Sequence, residues 1–168
     1  MKKRFLQGFT LIELIIVIAV IALLAAATFV AINPAKRVGD ANNARRWSDI
    51  TAIADAYNAY LVDNAGAHPT TTPSPTSGIT YAIASSTGGG SGDFDNCTAA
   101  SGNATATAAL INLGALVTNG YIGAIPLDPS YASADGYDTG YYFYRESTGK
   151  MIVGSCETYN SQNIEVVR

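Results

Sequence analysis

Apolar and polar positions follow three different rhythms along this chain. From Phe9 to Ile32 the run FTLIELIIVIAVIALLAAATFVAI is broken only by Thr10, Glu13 and Thr28. As a helix, its roughly 24 residues would reach about 36 Å, enough to cross a bilayer core of about 30 Å. From Asp40 the pattern becomes amphipathic: Trp47, Ile50, Ile53, Ala54, Tyr57, Tyr60 and Leu61 recur every three or four positions. That spacing predicts a helix from Asp40 to about Asn64, stopped by Gly66, with Arg45 and Asp49 as an i,i+4 pair on its polar face. Between the two runs, Pro34 removes a helix hydrogen bond and Gly39 adds a soft point, so a kink is expected between Ile32 and Gly39. Further on the rhythm shortens. Ile79 to Ala84 reads as a strand, and Ala106 to Thr118, with Leu110, Leu113, Leu116 and Val117 on one side, reads as a small helix ending at Asn119-Gly120. Tyr141 to Glu146 and Met151 to Cys156, joined at Ser147–Lys150, read as a hairpin, with Ile164 to Val167 as a last strand. The expected class is α+β: a long N-terminal helix packed on a C-terminal antiparallel sheet.

Charge sharpens this picture at the front of the chain. The net charge of −3 argues against nucleic-acid binding through a broad basic surface. Lys2, Lys3 and Arg4 precede the apolar run; without these three positive charges the −3 becomes about −6. The positive-inside rule then leaves the N-terminus in the cytoplasm and exports the chain beyond Ile32, against some opposition from Lys36 and Arg37. A secretory signal peptide is the plainer alternative, with Ala25-Ala26-Ala27 imitating its cleavage site, but the apolar run is longer than a usual signal core. The two cysteines, Cys97 and Cys156, form no CxxC and have no histidine nearby in sequence. In an exported domain an oxidised Cys97–Cys156 pair is the default reading; two unrelated buried thiols are the alternative.

Neither a signal peptide nor a plain anchor explains Glu13, the only ionisable residue in the run. A carboxylate within a membrane helix is a functional candidate needing a partner. Cleavage between Gly8 and Phe9 would supply one. The new α-amino group would lie four residues before Glu13, about 6 Å away along a helix axis. It could neutralise Glu13 in the same chain or in a neighbour, and a salt bridge in lipid serves as a register key more than as a source of stability.

The string KKRFLQG-FTLIELIIVIAVIALLA resembles the class III signal of type IV prepilins and of type II secretion pseudopilins. The resemblance implies a pilin fold, a short leader at residues 1–8, cleavage after Gly8 by a prepilin peptidase, and N-methylation of Phe9. It also implies that Glu13 aligns subunits during assembly. Residues 9–32 would be the transmembrane and filament-core helix, 33–66 a kinked amphipathic helix with Pro34 and Gly39 at the kink, and 67–168 the globular head. The implied partners are further copies of the chain in a helical polymer, membrane lipid before assembly, and an inner-membrane platform driven by a cytoplasmic ATPase. The implied location is the bacterial cytoplasmic membrane first and a surface filament afterwards. GYIGAIPLDP, from Gly120 to Pro129, resembles the segment before the sheet in major pseudopilins and related pilins. There Ser130-Tyr131 replaces their common Trp-Gly, which favours a pilus over a secretion role.

Other chemistry is thin. Asp128, Asp135 and Asp138 share one loop and could hold a structural calcium, although solvated turn carboxylates are the plainer reading. No other cofactor is implied. His68, the single histidine, falls in a Pro/Thr/Ser stretch and reads as a surface loop residue. No Ser/His/acid set, phosphate loop or zinc cluster appears, so an anchored hydrolase has no catalytic residues to use. The competing classes are a filament subunit, a minor or tip pilin capturing a ligand such as extracellular DNA, and a secretion pseudopilin. Abundance in sheared filaments separates the first from a scarce tip subunit.

Overall fold

The computed structural model describes residues 8–69, 74–84, 110–130, 138–156 and 158–168. The chain divides into two units at Gly39 and Asp40.

In the first unit, helix α1 spans Leu11–Ile32. None of its side chains is buried, and Leu11, Leu23, Phe29 and Val30 are all well exposed. A helix apolar on every side is built to be covered by lipid or by other helices. By length and composition it is able to cross a membrane. Asn33 ends it in the left-handed conformation (φ 45°). Helix α2, Pro34–Asp63, then starts with proline at its first position, where the missing N–H costs nothing. Asn33 also caps this start: its side-chain oxygen accepts from the Lys36 N–H and its carbonyl from the Arg37 N–H, both at 3.3 Å. The expected kink is therefore a break at Asn33, and α2 runs through Gly39 uninterrupted.

In the second unit, α2 buries Ile50, Ile53, Ala54 and Tyr57 against a five-stranded sheet. Its strands are β1 (Thr80–Ala84), β2 (Leu110–Asn112), β3 (Asp138–Arg145), β4 (Met151–Ser155) and β5 (Glu165–Val167), in the order β2-β1-β3-β4-β5. Three neighbouring pairs are antiparallel, as expected, but β1 and β2 run parallel, so the sheet is mixed. Pairing of Ala82, Ile83 and Ala84 with Leu110, Ile111 and Asn112 takes Leu110–Asn112 out of the expected helix. Among the described residues of that stretch only α3, Gly114–Thr118, is helical, and Gly114 N–H donates to the Asn112 side chain at 2.7 Å as the chain turns. So short an apolar run fits either period, and the open edge of β1 decides it.

Strand β3 is buried along nearly its whole length. Tyr141 and Phe143 join the main core beneath α2, while Tyr142 and Tyr144, alternating to the other face, pack with Ile152 and Cys156. Trp47, expected in the core, is 40% exposed. The inward position beside it belongs to Arg46, which is only 2% exposed.

Candidate functional site

Two polar constructions stand out, one in each unit. The first is at the start of α1. Thr10 is the N-cap, extended at φ −84° and ψ 151°, and Glu13 is the third helical residue. Glu13 N–H donates to the Thr10 hydroxyl oxygen at 3.3 Å, and Glu13 Oε2 accepts from the Thr10 backbone N–H at 3.3 Å and hydroxyl at 3.1 Å. This is a reciprocal capping box, worth about 1 kcal/mol in an ordinary helix, with the carboxylate at the positive end of the helix dipole. Thr10-Leu11-Ile12-Glu13 carries that signature in the sequence, where hydropathy alone drew attention only to the charge. Phe9 lies one residue before the cap, outside the helix. The helical i,i+4 placement of a Phe9 amine against Glu13 is thus absent from the uncut chain, where Thr10 holds the carboxylate. Gly8 and Phe9 are exposed.

The second construction pins the loops beside the sheet to α2. Arg46 Nε donates to Asp128 Oδ2 at 2.6 Å and its Nη2 to Oδ1 at 2.8 Å, both side chains being buried. Its Nη1 donates to Asn43 Oδ1 at 2.9 Å, and Nη2 also reaches the Ser130 hydroxyl. Asp128 accepts further from the Ser130 N–H at 2.8 Å and the Ser155 hydroxyl at 3.2 Å. Asn43 in turn accepts from Tyr159 N–H at 3.0 Å and donates to Gln162 Oε1 at 2.9 Å. Burial would raise the Asp128 pKa, but the Arg46 hydrogen bond, the Ser130 N–H, the guanidinium charge and the Ser155 hydroxyl together hold it below the usual carboxylate range. Nearby, Tyr141 donates to Asp49 at 2.8 Å; burial first and then that carboxylate push its hydroxyl upward. Asp49 also takes the expected pair with Arg45, at 3.6 Å.

The three aspartates considered for calcium have different settings. Asp128 serves as the counter-ion of Arg46, Asp135 lies outside the described residues, and Asp138 opens β3 opposite Ala84. Among the described residues, no group of three or more His, Cys, Asp or Glu side chains is placed to hold a metal ion. Cys156 follows β4, while Cys97 lies outside the described residues. His68 departs from the surface-loop expectation. It is half-buried and joins Tyr57, whose hydroxyl is 2.6 Å from its Nδ1, to Arg145, whose Nη1 is 3.3 Å from its Nε2.

Residues 6–29 match the family model described as the prokaryotic N-terminal methylation motif. No curated protein and no solved structure matches the chain. The matched segment holds Gly8, Phe9 and the capping pair Thr10 and Glu13, and it extends through most of the uncovered apolar helix α1. The chain thus carries, ahead of an α+β architecture, the prokaryotic N-terminal methylation motif, the class III signal of type IV pilin and pseudopilin precursors.

Proposed function

We propose that this chain is a structural subunit of a type IV pilus or a closely related filament. A prepilin peptidase cuts it between Gly8 and Phe9, and the new amine is methylated. The mature helix waits in the cytoplasmic membrane until an ATPase-driven platform extracts it, and α1 helices from many copies then bundle with the heads outward. The observation that carries this reading is the match at residues 6–29 together with one carboxylate, Glu13, in a helix otherwise free of charge.

The capping box supports a two-partner history for Glu13. In the precursor its carboxylate is satisfied by Thr10, which lowers the cost of holding a charge at the edge of the lipid. After the cut, the amine of Phe9, in its own chain or the next, offers a stronger, charge-assisted partner and so fixes register. Replacing Glu13 by Ala should leave the protein in the membrane fraction at normal levels while filaments disappear or become irregular under the electron microscope. Wild-type filaments from that variant would overturn the proposal.

For the head we propose a Cys97–Cys156 disulfide. Closing a loop of about sixty residues would contribute roughly 4 kcal/mol in the chain-entropy account. Native protein alkylated without reduction should take up no label, and two labelled thiols would remove this pairing.

A further inference from the structure

A cleft of about 140 Å³ opens between the C-terminal part of α2, Gly66 and His68 after it, and the β3–β4 hairpin. Its apolar wall is Leu61, Phe143 and Met151, and its polar end is Tyr57, His68 and Arg145. Two features of that polar end point to an anion. Arg145 has only neutral acceptors among the described residues: His68 Nε2 at 3.3 Å and the Pro75 carbonyl at 3.5 Å. A guanidinium can only donate, so Nε2 of His68 accepts and the imidazole proton sits on Nδ1. That proton is then donated to the Tyr57 oxygen, 2.6 Å away. The hydroxyl hydrogen of Tyr57, a residue 1% exposed, is left with no acceptor among the described residues. A half-paired cation and a spare buried donor thus meet beside an apolar wall.

We propose that this cleft binds a small organic carboxylate, held between the Tyr57 hydroxyl and the Arg145 guanidinium with its apolar body against Leu61, Phe143 and Met151. A carboxylate can accept from both donors, and an arginine–carboxylate contact is among the stronger hydrogen bonds. The apolar wall distinguishes this ligand from a bare phosphate, which would leave that wall facing water.

Binding is coupled to His68. Burial first, and the Arg145 charge second, hold its pKa below the ordinary histidine value. Among the described residues, the groups facing it are Tyr57 from α2, Arg145 from β3 and the Pro75 carbonyl near Arg145; Gly149 and Met151 on the hairpin side bring no charge. A bound carboxylate offsets the Arg145 charge and takes its N–H in place of Nε2, so Nε2 is freed, and His68 protonates more readily and donates to the carboxylate. Affinity therefore rises as pH falls through the His68 titration, and by linkage the ligand raises the His68 midpoint.

Because His68 is the single histidine, its ring signals in an NMR spectrum are unambiguous. The full chain in detergent micelles would be titrated with sodium butyrate, with sodium chloride at matched ionic strength and inorganic phosphate as comparators. The expected result is a saturable shift of the His68 ring signals with butyrate alone and a raised His68 midpoint. Arg145→Gln should weaken the apparent affinity about tenfold or more, the loss of one charge-assisted contact, and Tyr57→Phe should weaken it less. Thermal melting of each variant reports its fold, and Arg145→Lys, which keeps the charge, should retain part of the affinity if the glutamine variant does not fold. No saturable shift, an equal response to phosphate or chloride, or unchanged affinity in folded Arg145→Gln would each overturn the proposal.

Discussion

At the scale of single residues, the head is organised around a charge that hydropathy would place outside. Arg46 sits where the helical stripe needs an inward residue, and it is tolerated there because Asp128, Asn43 and Ser130 take four hydrogen bonds from its guanidinium. Removing one partner of a buried pair leaves the other uncompensated, at a cost of about 3–5 kcal/mol. Asp128→Ala should therefore lower the unfolding free energy by that order in denaturant titrations, and a loss below about 1 kcal/mol would contradict the burial described. The sign of the pH effect follows from the depressed Asp128 pKa. Its contribution is complete above the unfolded carboxylate value near 4 and is lost as pH falls through the lower folded value. The wild type should thus lose stability in that acid window more steeply than the variant. Nothing in the linear sequence couples Arg46 to Asp128, 82 positions apart. The IPLDP string marked the segment carrying Asp128 without saying which partner it meets. Thr10–Glu13 is the opposite case, a local pair whose spacing could be read directly.

At the scale of elements, local pairing was legible and non-local pairing was not. The β3–β4 hairpin follows from two apolar runs around Ser147–Lys150, and Gly149 takes the positive φ of 91° that this turn demands. The parallel β1–β2 pair joins strands separated by a long connection, and no short pattern specifies such a partner. Gly154 has a role set wholly by its neighbour: it lies opposite Tyr142, whose ring occupies the place a Cβ would take. Gly154→Ala should displace that ring from its cluster with Tyr144 and Ile152 and cost about 1–3 kcal/mol, the range for overpacking. An unchanged melting temperature would mean the ring yields freely. The break between α1 and α2 shows the same dependence on context. Pro34 announced an interruption, but Asn33, by turning left-handed and capping the next helix, fixed it at one residue and left Gly39 helical.

For the whole molecule, the N-terminal segment was the most legible part, because the motif at residues 6–29 is carried in linear order and needs no tertiary pairing to be read. An apolar helix with no buried side chain has no cover of its own, so its stability outside lipid requires other helices. This is the demand that the proposed filament assembly would meet. The head supplies a core of its own beneath the second half of α2. The proposed filament role depends on one covalent event, removal of the residues before Phe9. The most direct test is the intact mass of the protein recovered from the cell surface. A chain beginning at Phe9 and carrying one extra methyl group is the predicted result. A chain beginning after Ala25-Ala26-Ala27 would instead mark the apolar run as a discarded secretory signal and contradict the filament assignment.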